Sequence, residues 1–264
     1  MDYGRQVTDQ GYAFDNANAQ AGDHHRALAD LLDAETRAHI EDLIDLPGKR
    51  CLEVAAGAGS IASWLAEHAA EVLATDIAPQ HIPARPRLTV RQHDIVTGEH
   101  LGRFDLVHAR LLLGHLPQRL DALRQMVAAV APGGVLLTED FTTGPGTFVS
   151  YAPDPVTTGA LSRYMEAHLE VLAAHGSDRQ WGHRAPAAFA EAGLTDVRLR
   201  VHGGSWHGGD PGCRLLLASL PQLRDGLLAR GLTDDDLALA AEALMDPRVI
   251  LSGFLTLQTS GRVA

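Results

Sequence analysis

The chain has 264 residues, 45% hydrophobic and 21% charged, with a formal net charge of −11. That length and apolar content fit one large α/β domain with an embellishment and a sizeable buried core. The acidic balance and the absence of any Lys/Arg cluster argue against partners built on phosphates, whether nucleic acid or an anionic membrane surface. Cys51 and Cys213 stand far apart and in no paired metal-ligand spacing, so a reducing cytoplasm is the plain reading. Residues 1–20 are polar, with no apolar run after a basic start, so no signal peptide is expected. No stretch approaches the roughly 18 consecutive apolar residues of a membrane span.

In chain order, residues 1–46 read as helical. Leu28, Leu31, Leu32, Ile40, Leu43 and Ile44 form an apolar stripe, broken near Asp33–Thr36, and Pro47-Gly48 ends it. A short strand follows at Cys51–Val54, then a glycine turn and a helix over Ile61–His68. Further strands are expected at Glu71–Thr75, Leu88–Gln92 and Phe104–His108. A helix over Arg119–Val130 stops at Pro132-Gly133-Gly134, before a fifth strand at Val135–Asp140. Strands alternating with helices at this spacing imply parallel pairing through right-handed crossovers. Beyond them come helices at Val156–His175 and Pro186–Ala192, and a sixth strand at Thr195–His202. Two helices span 213–245, split at Gly231–Thr233, and Val249–Thr259 reads as the last strand. The pattern divides the chain into a helical cap (1–46), a core (47–205), a helical lid insertion (206–247) and a last core strand (248–264).

The segment Cys51-Leu-Glu-Val-Ala-Ala-Gly-Ala-Gly-Ser60 directly follows the first strand. Gly57 and Gly59 let the backbone turn sharply and approach a ligand that a Cβ would block. The helix beginning near Ser60 aims its free N–H groups back at that ligand. Glu53, at the strand's carboxyl end, is placed to reach the cationic amino group of a bound amino acid. Asp76, seventeen residues after Gly59 and at the end of the second strand, suits both hydroxyls of a ribose. Asp94 follows the third strand, where a carboxylate can take the exocyclic amine of adenine, and Ile77 and Ile95 can sandwich the ring.

Leu52-Glu-Val-Ala-Ala-Gly-Ala-Gly59, Asp76, Asp94, Phe104-Asp-Leu-Val-His-Ala-Arg110 and Ala131-Pro-Gly-Gly-Val135 together resemble the ordered motifs of class I S-adenosylmethionine (SAM)-dependent methyltransferases, over about residues 50–140. Tyr12–Ala17 and Ile61–Ala66 resemble a subgroup of actinobacterial enzymes acting on specialised metabolites. The resemblance implies a doubly wound, Rossmann-like seven-stranded α/β sheet, mostly parallel with an antiparallel last strand. It implies SAM as methyl donor and S-adenosylhomocysteine (SAH) as product. On this basis the cofactor would be held by Arg26, pairing with the methionine carboxylate, and by Glu53, Ala55, Gly57, Gly59, Asp76, Ile77, Asp94, Ile95 and Ala109. Ala55 departs from the pattern, standing where the family often has its first glycine.

Methyl transfer is an in-line displacement at an already activated carbon, so alignment and water exclusion matter more than a loud catalytic motif. The acceptor-side candidates are His108, Arg110 and His115, expected to face the crevice after the fourth strand, and Tyr12. Arg110 has a competing role holding the fold through Glu139-Asp140. Tyr12 has one as a helix-packing residue. Of His24 and His25, at most one is expected on the face of Arg26. His202, Trp206 and His207 sit in a Gly-rich stretch that reads as a substrate clamp or a connector. An Asn-Pro-Pro-aromatic motif is absent after the fourth strand, disfavouring amino-group methylation of nucleobases or glutamine side chains. Neither cysteine is placed for cytosine C5 chemistry. No metal is expected, Glu139 and Asp140 being the only doubt.

The expected acceptor is a small, largely apolar or aromatic metabolite, with carbon, oxygen and nitrogen all open. It would be enclosed by residues 1–30, the 141–185 helix and the 205–245 lid. A homodimer through the N-terminal helices is a further expectation. Two other functions fit parts of the pattern. Gly57-Ala-Gly59-Ser-Ile-Ala62 with Asp76 also fits an NAD(P)-linked oxidoreductase, and a non-catalytic SAM-binding protein would carry the same cofactor motifs.

Overall fold

The first strand is buried on both faces, as a strand inside a parallel sheet must be: β1 (Arg50–Val54) exposes only its first residue. The computed structural model describes residues 21–97, 99–143 and 147–264. β1 follows helix α1 (Ala21–Leu43) and leads to α2 (Ser60–His68), β2 (Glu71–Asp76), β3 (Leu88–Gln92), β4 (Phe104–Arg110), α3 (Arg119–Ala129) and β5 (Val130–Thr142). Then come β6 (Val149–Tyr151), α4 (Pro155–Ala174), α5 (Trp181–Glu191), β7 (Thr195–His202), β8 (Ser205–His207), α6 (Pro211–Leu228), α7 (Asp234–Met245), β9 (Ile250–Ser252) and β10 (Leu255–Arg262).

The main sheet has seven strands in the order β3-β2-β1-β4-β5-β10-β7. β1 to β5 pair in parallel, and β10 lies antiparallel to both β5 and β7. Alternation along the strands splits the core into two layers. Cys51, Leu106 and Leu137 pack with Ile40 of α1 and Trp64 and Leu65 of α2. Leu52, Val107 and Leu136 pack on the other face with Leu123 and Met126 of α3 and Trp181 and Phe189 of α5. The strand order reverses at β1 and β4, which opens a crevice at their carboxyl ends, where ligands of such sheets bind.

Three features differ from the sequence expectation. First, α1 runs unbroken through Asp33–Thr36. Asp33 and Thr36 face inward, 8% and 0% exposed, and bond to the sheet. Second, a small antiparallel sheet, β6-β9-β8, stands beside the main one. Trp206 of β8 is buried there among Cys213, Leu251 and Phe254, in a packed core. Third, α4 shares that core with α6 and α7, so the packing unit outside the main sheet draws on residues before β7 as well as 206–247. α1 also spends contacts on α6, including an Arg214–Asp30 ion pair at 3.0 Å. No helix among the described residues is long and apolar enough to cross a membrane.

Candidate functional site

The turn after β1 builds the floor of a cavity of about 470 Å³ at the strands' carboxyl ends. Ala55, Gly57 and Gly59 all adopt positive φ, of 55°, 57° and 78°. The two glycines serve different ends. A Cβ on Gly57 would point toward the His25 ring at 3.5 Å, into the space between turn and helix. A Cβ on Gly59 would strike Ile82 Cγ2 at 2.8 Å, so this glycine permits packing and does not itself line the cavity.

Asp76, at the end of β2, fixes the turn. Its Oδ2 accepts from Gly57 N and its Oδ1 from Ala78 N, both at 2.8 Å. The carboxylate is thereby oriented, and each oxygen retains lone-pair capacity toward the cavity. Asp94 lines the same space with its Oδ1 held by Val96 N at 2.9 Å. Ile77 and Ile95 flank these acids. Two anchored acceptors between aliphatic side chains fit a ligand with a flat apolar face and hydroxyl or amine donors.

The first turns of α1 border this cavity. His24, His25 and Arg26 all line it, reaching the same space from different sides of the helix. Arg26 stays largely exposed, 3.9 Å from Asp23. His81 and His93 add to the rim, and sequence reasoning missed both because their loops carry no periodicity.

Glu53, Ala109 and His108 lie behind the cavity wall. His108 is 0% exposed on β4, so the crevice-facing position expected of it is corrected. It lies 2.7 Å by Nδ1 from Glu53 Oε2 and 3.0 Å by Nε2 from Glu139 Oε1. Burial alone would lower its pKa, but the two carboxylates outweigh this and raise it to about 9. His108 is therefore an imidazolium, donating to both. Burial would raise the Glu139 carboxyl, yet His108 and Arg110 hold it below its usual value. Glu139 Oε2 also accepts from Thr36 Oγ1 at 3.0 Å and Gln258 Nε2 at 3.1 Å.

Arg110 lines the cavity but is committed to α1, donating to Thr36 Oγ1 at 3.1 Å and to Asp33 Oδ1 at 3.0 Å. Ser60, at the start of α2, donates to the same Asp33 oxygen at 3.1 Å. Arg110 thus does hold the fold, through α1 with Glu139 one bond further on. The network locks α1 over the turn.

A second cavity, of about 1040 Å³, lies on the other side of the turn after β4. Leu111, Leu112 and Leu116 wall the first cavity, while Gly114 and His115 wall the second. His115 stands close enough to His24 and His168 to disfavour a positive charge on either. Burial, chiefly, lowers all three to about 4, so they are neutral near pH 7. Phe141, Phe148, Phe254, Met165 and Leu169 form an apolar wall of the second cavity, and residues 206–247 line neither. α6 and α7 instead brace α4, as where Tyr164 donates to Leu216 O at 2.8 Å.

Glu139 and Asp140 leave opposite faces of β5, the former to His108 and the latter to Gly114 N, so they do not converge on one point. Among the described residues no group of three or more His, Cys, Asp or Glu side chains is arranged to hold a metal ion. Tyr12 lies outside the described residues.

A methyltransferase-domain family model matches residues 22–198. A methyltransferase of Strobilurus tenacellus is 34% identical over 163 residues, 58% of this chain and 56% of that protein. A ubiquinone biosynthesis O-methyltransferase of Xanthomonas campestris is 28% identical over 115 residues, 40% of this chain and 48% of that protein. The chain thus spans about half the length of the curated relatives it matches. Among solved structures, a methyltransferase from an antibiotic biosynthesis pathway of Anabaena variabilis shares the fold with a TM-score of 0.57 at 13% identity, covering 86% of this chain and 96% of that one. A Haemonchus contortus phosphoethanolamine N-methyltransferase, solved with SAH, gives 0.53 at 14% identity, covering 83% and 49%. With the family model spanning the glycine turn, the strand-end acids and the turn that separates the two cavities, the chain belongs to the methyltransferase-domain family.

Proposed function

We propose that the enzyme methylates a small aromatic metabolite seated in the 1040 Å³ cavity, with SAM in the 470 Å³ cavity beside it. The observation that carries this reading is the shared wall, Leu111–Leu116, which serves one cavity with three residues and the other with two. A donor on one side and an acceptor on the other meet at His115 and His24. When bound, SAM supplies a methyl carbon activated by positive sulfur.

The chain's own residues do the rest. Asp76 takes the ribose hydroxyls, Asp94 the adenine amine, and Ile77 and Ile95 the ring faces. Ala55 and Gly57 admit the methionine part, and Arg26 at the rim is placed for its carboxylate. Glu53, Ala109 and Gly59 shape this surface from behind, and Arg110 and His108 fix α1 over it. His115 touches the acceptor. Phe141 and Phe254, with ring centroids 5.4 Å apart, and Phe148, 6.4 Å from Phe254, favour a flat apolar body. The Xanthomonas relative's name, an O-methyltransferase, adds weight to an oxygen acceptor, and a role in specialised metabolism in a reducing cytoplasm fits two buried free cysteines.

The test is transfer of labelled methyl from SAM to a panel of aromatic phenols, anilines and indoles, with peptide and RNA alongside. Labelling of aromatic acceptors is the expected result. Labelling of peptide or RNA with none of the aromatics would overturn the reading.

A further inference from the structure

Asp140 sits near the carboxyl end of β5, 3% exposed, on the wall of the second cavity. Its Oδ1 accepts from Gly114 N at 2.8 Å. Gly114 precedes His115 in the turn that divides the cavities, so the carboxylate is tethered at the place where donor and acceptor meet. Gly114 itself leaves room for this, since a Cβ there would stand 3.0 Å from Asp140 Oδ1. The cationic side chain nearest by chemistry is spent elsewhere. Arg119 donates to Leu113 O at 3.1 Å and Gly176 O at 2.7 Å and pairs with Asp178 at 3.4 Å. Among the described residues Asp140 has no ion-pair partner within 4.0 Å. The buried indole N–H of Trp181 lies toward the same carboxylate, outside strict hydrogen-bond geometry but close enough to favour its charged form.

We propose that Asp140 is the catalytic base of this enzyme and that its acceptor is a phenol. The inference rests on the reading of the two cavities given above and names the acceptor class for it. The phenolic oxygen bonds to the methyl carbon as the carbon–sulfur bond breaks, its electron pair returning to sulfur. The phenolic proton passes to the outer oxygen of Asp140 and then to solvent, leaving an aryl methyl ether and a neutral thioether.

The surroundings suit this task. Burial raises the Asp140 carboxyl to about 7, and Glu139 pushes the same way, while the Gly114 N–H, Arg119 and Trp181 oppose it. His115 is neutral, and the Asp178–Arg184 pair stands behind Arg119. A base poised near neutrality is in the range where proton transfer is efficient.

The experiment uses the full chain with SAM and the probes 4-ethylphenol, 2-naphthol and caffeic acid, with the matching aromatic amines alongside. For 4-ethylphenol, log kcat/KM should rise with unit slope to about pH 7 and then level. Without a base it would climb on toward the phenol's own ionisation, near 10 as for tyrosine. Asp140→Asn should lower kcat by about 100-fold or more, move the plateau toward that higher pH, and leave titrated affinities for SAH and for 4-ethylphenol within a few fold. Asp140→Glu should recover part of the rate. The proposal falls if the Asn variant keeps its rate and plateau, if it loses SAH or phenol binding in step with rate, or if amines are methylated and no phenol is. Should Asp140→Asn not fold, the wild-type pH profile decides alone. Failure of the underlying two-cavity reading looks different: no aromatic acceptor of any kind is labelled.

Discussion

Ala55 holds φ 55°, a left-handed conformation that an L side chain enters at a cost, at a turn where the family often has glycine. Relief of that strain, partly offset by glycine's greater freedom in the unfolded chain, should make Ala55→Gly more stable by about 0.5–1 kcal/mol in urea unfolding. His108 carries a larger stake, since it is the one cation between two buried carboxylates. His108→Gln should cost about 3–5 kcal/mol at pH 6 to 7 by leaving those charges uncompensated. The pKa of His108 is raised on folding, so its contribution is complete below about 6.5 and is lost as pH rises through about 9. Unfolding curves of the two proteins should therefore converge by pH 10, and a gap that is constant with pH would contradict the imidazolium assignment. The strand-end positions of Glu53, Asp76 and Asp94 were legible because acids there stand at fixed offsets from a glycine turn, though only Asp76 and Asp94 line the cavity. The partnership of Glu53 with His108 was not, because it depends on which residues of β1 and β4 stand side by side, a register that spacing alone does not give.

At the level of elements, Asp33–Thr36 read as a gap in the apolar stripe of α1, because periodicity counts only apolar contact. In the fold Asp33 and Thr36 meet Arg110, Ser60 and Glu139, so their polarity marks a buried network and not a helix end. β9 was read with β10 as one strand over Val249–Thr259, and the three-residue strands β6 and β8 escaped notice for a different reason. They are too short to display alternation, and Gly203, Gly204, Gly208 and Gly209 around β8 mimic a loop. Gly203 and Gly208 have packing roles there, as does Gly212 just beyond. A Cβ on Gly212 would stand 2.1 Å from Trp206 Cδ2, so Gly212→Ala should lower stability by about 1–3 kcal/mol through overpacking of α6 against β8. Thermal melts check this, and an unchanged melting temperature would show that α6 can shift away from the tryptophan. The parallel strands of the main sheet were readable because each alternates with a helix or turn signal of ordinary length.

Across the whole molecule, insertions before and after β7 fold into one secondary core that braces α4 over the second cavity, while α1 closes the first. The sheet supplies fixed acids and a fixed turn, and the helices supply the enclosure, so alignment rather than a reactive side chain dominates the design. The most direct test of this account is calorimetric titration of SAH into the wild-type chain and into Asp76→Ala and Gly57→Val variants with melting curves in parallel. Asp76 orients the turn, and in the proposed reading it also takes the ribose while Gly57 leaves room for the methionine part. The account predicts binding to the wild type and a loss of about 10- to 100-fold or more in each variant, as expected for losing charge-assisted hydrogen bonds worth roughly 1.5–3 kcal/mol. Equal affinity in folded wild-type and variant proteins would contradict it and move the donor site away from the carboxyl ends of β1 and β2.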